Sequence, residues 1–351
     1  MEATARPLVP STPSPSPRRL EAAGLHAGAG RSMAPDGLMA FALAADDLAD
    51  AEALLSELCA SNVPLVSEIG RYLAAAGGKR MRPLLTALGA RACGYKGPVG
   101  RLMCAGELIH LGSLLHDDVV DNGQDRRGAP AAQRVYGNAA VILTGDHCVA
   151  RALLIAAEEA GLPAVTGLAA TVAAMSEAEV QQLAINRDLS LPLERYLSII
   201  EDKSATLIAW CAAAGAWKAG RPELAPALQT FGRAAGIAFQ VVDDVIDYTG
   251  EMRLTGKRRG QDLAELKPTL PLLLALDRVP GLRAQLAKGP PSPERIPRFI
   301  EQVRNSGATD DAMTWARERV TEGIAALDAL PPGPHRDALV DLGHALVERN
   351  A

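Results

Sequence analysis

From Leu38 onward the chain is written almost entirely in helix-favouring residues, and this constrains its fold more than any other feature. Alanine and leucine dominate, β-branched alternation is absent, and Gly or Pro interrupts the pattern at helix-length intervals. The periodicity predicts helices over 38–58, 61–76, 83–93, 97–121, 138–160, 163–187, 192–217, 223–249, 269–278, 292–306, 308–329 and 334–349, with no convincing strand. Several carry apolar residues on more than one face, which implies a layered all-α bundle with some members buried on all sides. The helix carrying Asp117 is apolar for several turns before its acids and is expected to be central. Residues 37–351 are read as one all-α domain. Residues 1–36, rich in Pro, Ser, Ala and Gly, read as a disordered tail. Arg6, Arg18, Arg19 and Arg31 give that tail a faint likeness to an organellar transit peptide. Glu2, Glu21 and the prolines argue against it and favour a bacterial-style tail.

Composition excludes several function classes. With 351 residues, 48% hydrophobic, the chain can bury a large core. A net charge of −5 and 3% aromatic content leave neither a basic stripe nor a stacking platform for nucleic acid. Cys59, Cys93, Cys104, Cys148 and Cys211 are scattered, with no metal-ligand spacing, and read as buried reduced thiols of a cytoplasmic protein. No apolar run is expected to span a bilayer, the stretch Leu207–Trp217 between Lys203 and Lys218 coming closest.

Two helical stretches end in the same acidic signature. Asp117-Asp118-Val-Val-Asp121 follows LIHLGSLLH, and Asp243-Asp244-Val-Ile-Asp247 follows GIAFQVV. The first and last Asp of each set fall at i and i+4, on one helical face. Asn122-Gly123 and Thr249-Gly250 are stop signals, so each set crowds a helix C-terminus that already carries partial negative charge. Something cationic must offset them, and hard oxygen ligands suit Mg²⁺ shared with substrate phosphates. The string alone is weak: Asp46-Asp47-Leu-Ala-Asp50 repeats it and reads as the wet face of an amphipathic helix. If the two later helices pack side by side, their acids face each other across a cleft.

Phosphate needs further cations. In Gly77-Gly78-Lys79-Arg80-Met81-Arg82-Pro83 the glycines admit a ligand to the backbone, and Pro83 at a helix start leaves first-turn N–H groups facing the loop. Lys79 and Arg82 add charge there. Arg126-Arg127-Gly128 follows the first acid set, and arginine forks match phosphate oxygens. Lys203, beside Ser204, and Lys257 and Lys267 after the second acid set are further candidates, although lone lysines are commonly surface decoration. His110, two turns before Asp117, is open to a core or a ligand reading. His116 abuts the acids and could serve as a hydrogen-bond donor behind them.

GGKRMRP, ELIHLGSLLHDDVVDNGQDRRG, KSAT, FQVVDDVIDYTG and GKRRGQDLAELKPTLP, in that order and separation, resemble the signature regions of the trans-polyprenyl diphosphate synthases, closest to the bacterial octaprenyl type. The resemblance implies the all-α isoprenoid synthase type I bundle with a central active-site cavity, normally a homodimer. It implies that isopentenyl diphosphate condenses with an allylic diphosphate (farnesyl or geranyl). The implied product is a long all-trans polyprenyl diphosphate, octaprenyl to decaprenyl, for a quinone side chain such as that of ubiquinone. By resemblance, Asp117, Asp121 and Asp243 bind three Mg²⁺ on the allylic diphosphate, assisted by Asp118, Asp244 and Asp247. Arg126, Lys203 with Ser204, Gln240, Lys257 and Lys267 hold the same diphosphate, and isopentenyl diphosphate sits on Gly78, Lys79, Arg82, His110 and Arg127. The departing diphosphate would take the proton, which suits a chain with no compelling side-chain base. Departures are peripheral to the metal chemistry: Ala131 and Ser204 stand where the family often has Thr, and Gly260-Gln261-Asp262 and Glu265-Leu266-Lys267 where it often has GDD and EGK.

In short-chain relatives a bulky aromatic five positions before the first Asp blocks the product tunnel. Here Gly112, followed by Ser113, occupies that position, which implies an open tunnel and a long product. The other reading of Gly112 is close helix packing. The alternatives are a geranylgeranyl-length synthase, a terpene cyclase, against which the GGKRMRP loop and Arg127 argue, and a non-catalytic synthase subunit, against which two intact acid sets argue.

Overall fold

The computed structural model describes residues 37–75, 78–126, 129–185, 187–250 and 259–348. The predicted tail, Gly77, Arg127 and Lys257 lie outside them. The elements run α1 (Gly37–Leu43), α2 (Ala45–Leu58), α3 (Pro64–Ala74), α4 (Met81–Ala92) and α5 (Gly100–Val120). A two-residue antiparallel pair, β1 (Asp125–Arg126) and β2 (Ala129–Pro130), leads to α6 (Ala132–Tyr136), α7 (Asn138–Ala184) and α8 (Leu193–Ile200). A π-helical turn, Glu201–Ala205, joins α8 to α9 (Thr206–Lys218), and a short 3₁₀ turn precedes α10 (Ala225–Thr249). The rest is α11 (Gln261–Glu265), α12 (Leu270–Arg278), α13 (Leu282–Leu286), α14 (Ile296–Asn305), α15 (Ala308–Ala326) and α16 (Pro334–Glu348).

The all-α reading holds, with β1–β2 as a small correction. Helix α9 explains the run Leu207–Trp217: every residue from Leu207 to Ala216 is buried, because α9 packs against α4, α5, α7 and α10 at once. A helix enclosed on all sides needs apolar residues on all sides. Its approach to α4 is set by glycine. A Cβ on Gly215 would stand 2.1 Å from Ala90 N, and one on Gly89 2.4 Å from Ala212 O. Helix α5 is likewise central, buried without a break from Leu102 to Ile109 and packed most extensively on α7.

By length and composition α7, rather than the stretch around Leu207, comes nearest to a membrane span. An 18-residue window within Asn138–Ala184 has mean hydropathy 1.6, enough by length and composition to cross a bilayer. The expected helices 138–160 and 163–187 are both present within α7, parted at Gly161, whose backbone (φ 75°, ψ −166°) is not helical. Ile142, Leu143 and Leu154 before the bend, and Leu162, Val180 and Leu183 after it, are exposed. Buried side chains form two clusters, one around α4, α5, α7 and α9 and one around α12, α14 and α15; α10 supplies Phe231 and Ala235 to the first and Ile237 to Tyr248 to the second.

Candidate active site

Helix α5 stops where its acids begin to crowd. Asn122 takes a left-handed conformation (φ 50°), and the Gly123 N–H returns to Asp118 O at 3.0 Å. The β1–β2 turn then folds Arg126 back over the helix end, where its Nε donates to Asp118 Oδ1 at 2.6 Å. Gln133 Nε2 donates to the carbonyls of Asp118 (2.6 Å) and Gly123 (2.7 Å), satisfying terminal acceptors that α5 cannot. Asp118 is only 2% exposed, and its Oδ2 has no partner. Asp117 is half-buried, and burial pushes its carboxyl up to about 6; Lys203 opposes that, Glu179 and Asp121 reinforce it, and Arg126 opposes it. Asp121, at the helix end, is exposed.

Lys203 reaches this acid set from the π turn, a local widening of the helix that recurs at functional sites. Its Nζ lies 2.6 Å from Glu179 Oε2 and 2.9 Å from Gln182 Oε1, both on α7. Ser204 beside it is half-buried.

The second acid set, at the end of α10, is organised differently. Asp244 is buried and accepts from Tyr196 Oη (2.5 Å) and Gln240 Nε2 (3.0 Å). Burial, then the nearby Asp262, pushes its carboxyl up to about 8 against those two hydrogen bonds, with Asp243 adding to the rise. Asp247 accepts from the backbone N–H groups of Gln261 (3.2 Å) and Asp262 (3.1 Å), so it receives the start of α11. Lys267 then lies 3.5 Å from Asp262 Oδ1 and 2.8 Å from Glu265 Oε2. Asp243 is half-buried on the same helix. Helix α9 packs against both acid-bearing helices, far more extensively on α10 than on α5.

The basic loop meets both helices. Lys79 Nζ sits 5.2 Å from the centroid of the Phe239 ring, one residue before Gln240. Gly78 is exposed, and Arg82 is half-buried with its Nε buried and unpartnered. His110 is half-buried on α5, and Ser113 Oγ donates to its carbonyl at 2.9 Å. His116 turns away from the acids toward α7, with Nε2 3.1 Å from Ile142 O and 3.3 Å from Asp146 Oδ1.

Gly112 lies where α5 and α7 approach each other. A Cβ there would stand 3.0 Å from Gly145 O and 3.4 Å from Cys148 Cβ, so the glycine lets α5 and α7 touch. Its smallness serves helix packing, and Ser113 lies one turn below Asp117 on the same face.

Sequence reasoning missed Glu179, Gln182, Tyr196, Gln133 and Asp262. Only Asp262 carried a signal, as part of the segment after the second acid set.

Among the described residues no three His, Cys, Asp or Glu side chains converge as a ready-made metal cage. The donor set nevertheless fits a hard divalent cation that arrives with a polyanion. Asp118 Oδ2 is buried and orphaned, Asp117 ionises reluctantly because it is buried, and Mg²⁺ commonly takes one or two carboxylates with phosphates and water. Fold and site together define a helical bundle whose acidic helix ends and basic loop are arranged for a metal-bound phosphate ligand.

The sequence model described as Polyprenyl synthetase matches residues 63–303. Octaprenyl diphosphate synthase of Escherichia coli (strain K12) is 37% identical over 314 residues, 88% of this chain and 97% of that protein. All-trans-nonaprenyl-diphosphate synthase (geranyl-diphosphate specific) of Rhodobacter capsulatus is 34% identical, covering 87% and 95%. Among solved structures, a Caulobacter crescentus CB15 polyprenyl synthase complexed with calcium and isoprenyl diphosphate superposes with TM-score 0.84 at 36% identity, covering 92% of this chain and all of that one. The chain belongs to the polyprenyl synthetase family.

Proposed function

We propose that this prenyltransferase condenses isopentenyl diphosphate with farnesyl or geranyl diphosphate to give an all-trans polyprenyl diphosphate of octaprenyl to decaprenyl length, for a quinone side chain. The observation that carries the reading is the pair of acidic helix ends with Lys203 and Arg126 drawn onto the first, where burial still raises Asp117 to about 6.

Asp117, Asp121 and Asp243 would hold Mg²⁺, three ions by family resemblance. When bound, Mg²⁺ supplies charge neutralisation for the leaving diphosphate. Lys203, Arg126, Gln240, Lys257 and Lys267 grip the same group and stabilise its charge as the allylic C–O bond breaks. Asp118 and Asp244, already bonded within the protein, orient Arg126 and Gln240. Lys79, Arg82, His110 and Arg127, with Gly78, hold isopentenyl diphosphate so that its double bond faces the allylic carbon. The resulting cation loses a proton to the departed diphosphate.

The exposed apolar face of α7 supports a homodimer, since Ile142, Leu143, Leu154 and Leu162 would gain from burial against a second copy. Residues 37–351 are read as one domain because α10 serves both core clusters. The five cysteines are buried and free, which suits a reducing, cytoplasmic setting.

The test is incubation with labelled isopentenyl diphosphate, farnesyl diphosphate and Mg²⁺. A ladder ending at octaprenyl to decaprenyl, abolished by EDTA, is expected. A ladder stopping at geranylgeranyl, release of a hydrocarbon, or activity only with a second protein would overturn it in favour of the medium-chain, cyclase or subunit reading respectively.

A further inference from the structure

Arg80 lies between the two cations assigned to isopentenyl diphosphate, yet its own side chain points elsewhere. Nε and Nη2 make a fork on Glu52 of α2 at 2.6 and 2.7 Å, and Nη1 lies 3.5 Å from Glu107 of α5. The backbone of Arg80 is left-handed (φ 51°), a conformation that a long side chain adopts only under compulsion and that concentrates at functional sites. It is also the residue from which α4 starts, so its φ and ψ fix how the exposed loop enters the helix. Lys79 on one side reaches across to the Phe239 ring, and on the other Arg82 keeps a buried Nε with no partner. Glu107 is itself buried, 4% exposed, and lies three residues before His110 on α5, hence on a shared face.

We infer that Arg80 is a positioning residue for the isopentenyl diphosphate subsite: Glu52 and Glu107 clamp its guanidinium, the clamp holds the left-handed turn, and the turn aims Lys79 and Arg82 at one diphosphate. This rests on the proposed function for the identity of the ligand. The clamp anchors the loop to α2 and α5 together, so the spacing between loop and His110 is set by one ionic junction. Because Arg80 is already bound to two carboxylates, its own charge contributes little to an anion nearby.

Charge and positioning predict opposite signs, and that makes the idea testable. Glu52 is more than half exposed, so Glu52→Gln should leave the fold intact. If only charge mattered, removing a carboxylate near a diphosphate site would lower KM for isopentenyl diphosphate. If the clamp holds the turn, its loss frees about one residue's backbone and raises that KM about tenfold, a change of ~1.4 kcal/mol. KM for farnesyl diphosphate and kcat at saturation should stay put. Glu107→Gln should act in the same direction, and Arg80→Lys, which keeps the charge and loses the fork, should resemble Glu52→Gln. An unchanged or lowered KM in Glu52→Gln, or parallel rises for both substrates, would overturn the inference. A wild-type chain that does not elongate at all would instead overturn the proposed function, so the two failures are distinct.

Discussion

Asp244→Asn separates what the second acid set does for catalysis from what it costs the fold. The carboxyl is buried beside Asp262 and Asp243 and pushed up to about 8, from 3.8 in an unperturbed chain. Between those values the folded protein keeps a proton that the unfolded chain has released. Stability therefore falls as pH rises from about 4 to about 8, and levels off above. At pH 7 the window crossed is about three pH units at 1.36 kcal/mol each, a ceiling of about 4 kcal/mol. Asparagine keeps the shape, can accept from Tyr196 Oη, can donate to Gln240 Oε1 once that amide turns over, and carries no such penalty. Thermal unfolding of EDTA-treated protein is the assay. The variant should melt above the wild type at pH 8, and the gap should close as the pH approaches 4.5. Adding Mg²⁺ and pyrophosphate should narrow the gap, because a ligand at a hundred times its Kd adds about 2.7 kcal/mol to the form that binds it. A variant that melts no higher at pH 8, or a gap that ignores pH, would refute the argument that burial of this charge opposes folding.

Three further outcomes are expected. Lys203→Met removes the cation that opposes Asp117's burial, so that carboxyl rises above its present value of about 6 and Mg²⁺–pyrophosphate binding, followed by calorimetry, should fail at a higher pH than in the wild type. The same variant should lose about 10²–10³ in kcat. Gly112→Ala should lower stability by about 1–3 kcal/mol with the product ladder unchanged, while Ser113→Tyr shortens the ladder; chromatography of the products decides, and a shortened ladder from Gly112→Ala would restore the tunnel reading. Leu143→Arg with Leu162→Arg should halve the mass seen by sedimentation if α7 pairs two chains, and a wild type already monomeric would sink that reading.

How much of this was legible in the sequence depends on distance along the chain. Long amphipathic helices such as α10 and α15 were readable because their apolar stripes repeat for many turns. The short helices Ala132–Tyr136, Gln261–Glu265 and Leu282–Leu286 were not, because each is too short to hold itself without tertiary contacts. The π turn hid inside the helix expected over 192–217, since one extra residue per turn barely disturbs an apolar pattern. The break at Ala44 and the β1–β2 pair left no composition signal either. At the site, residue types announced the acids and the basic loop. Their partners were silent: Tyr196 meets Asp244, and Glu179 meets Lys203, only after folding brings separate helices together. Gly112 could not be decided from sequence, because a missing side chain reads equally as space for a product or as contact between helices.

The third acidic string shows why position in the element outweighs the string. Asp46-Asp47-Leu-Ala-Asp50 opens α2, where Asp46 and Asp47 occupy the first turn and meet the favourable end of the helix dipole. Asp47 is further matched by a two-pronged Arg91, at 2.5 and 3.0 Å. Nothing there is left wanting a cation. The same letters at the closing ends of α5 and α10 meet the unfavourable end, and burial then raises Asp117 and Asp244 well above the ordinary carboxylate range. A fold gains nothing in stability from placing charge so badly. The placement suits the proposed function, in which a metal bound with the substrate diphosphate supplies positive charge at both helix ends.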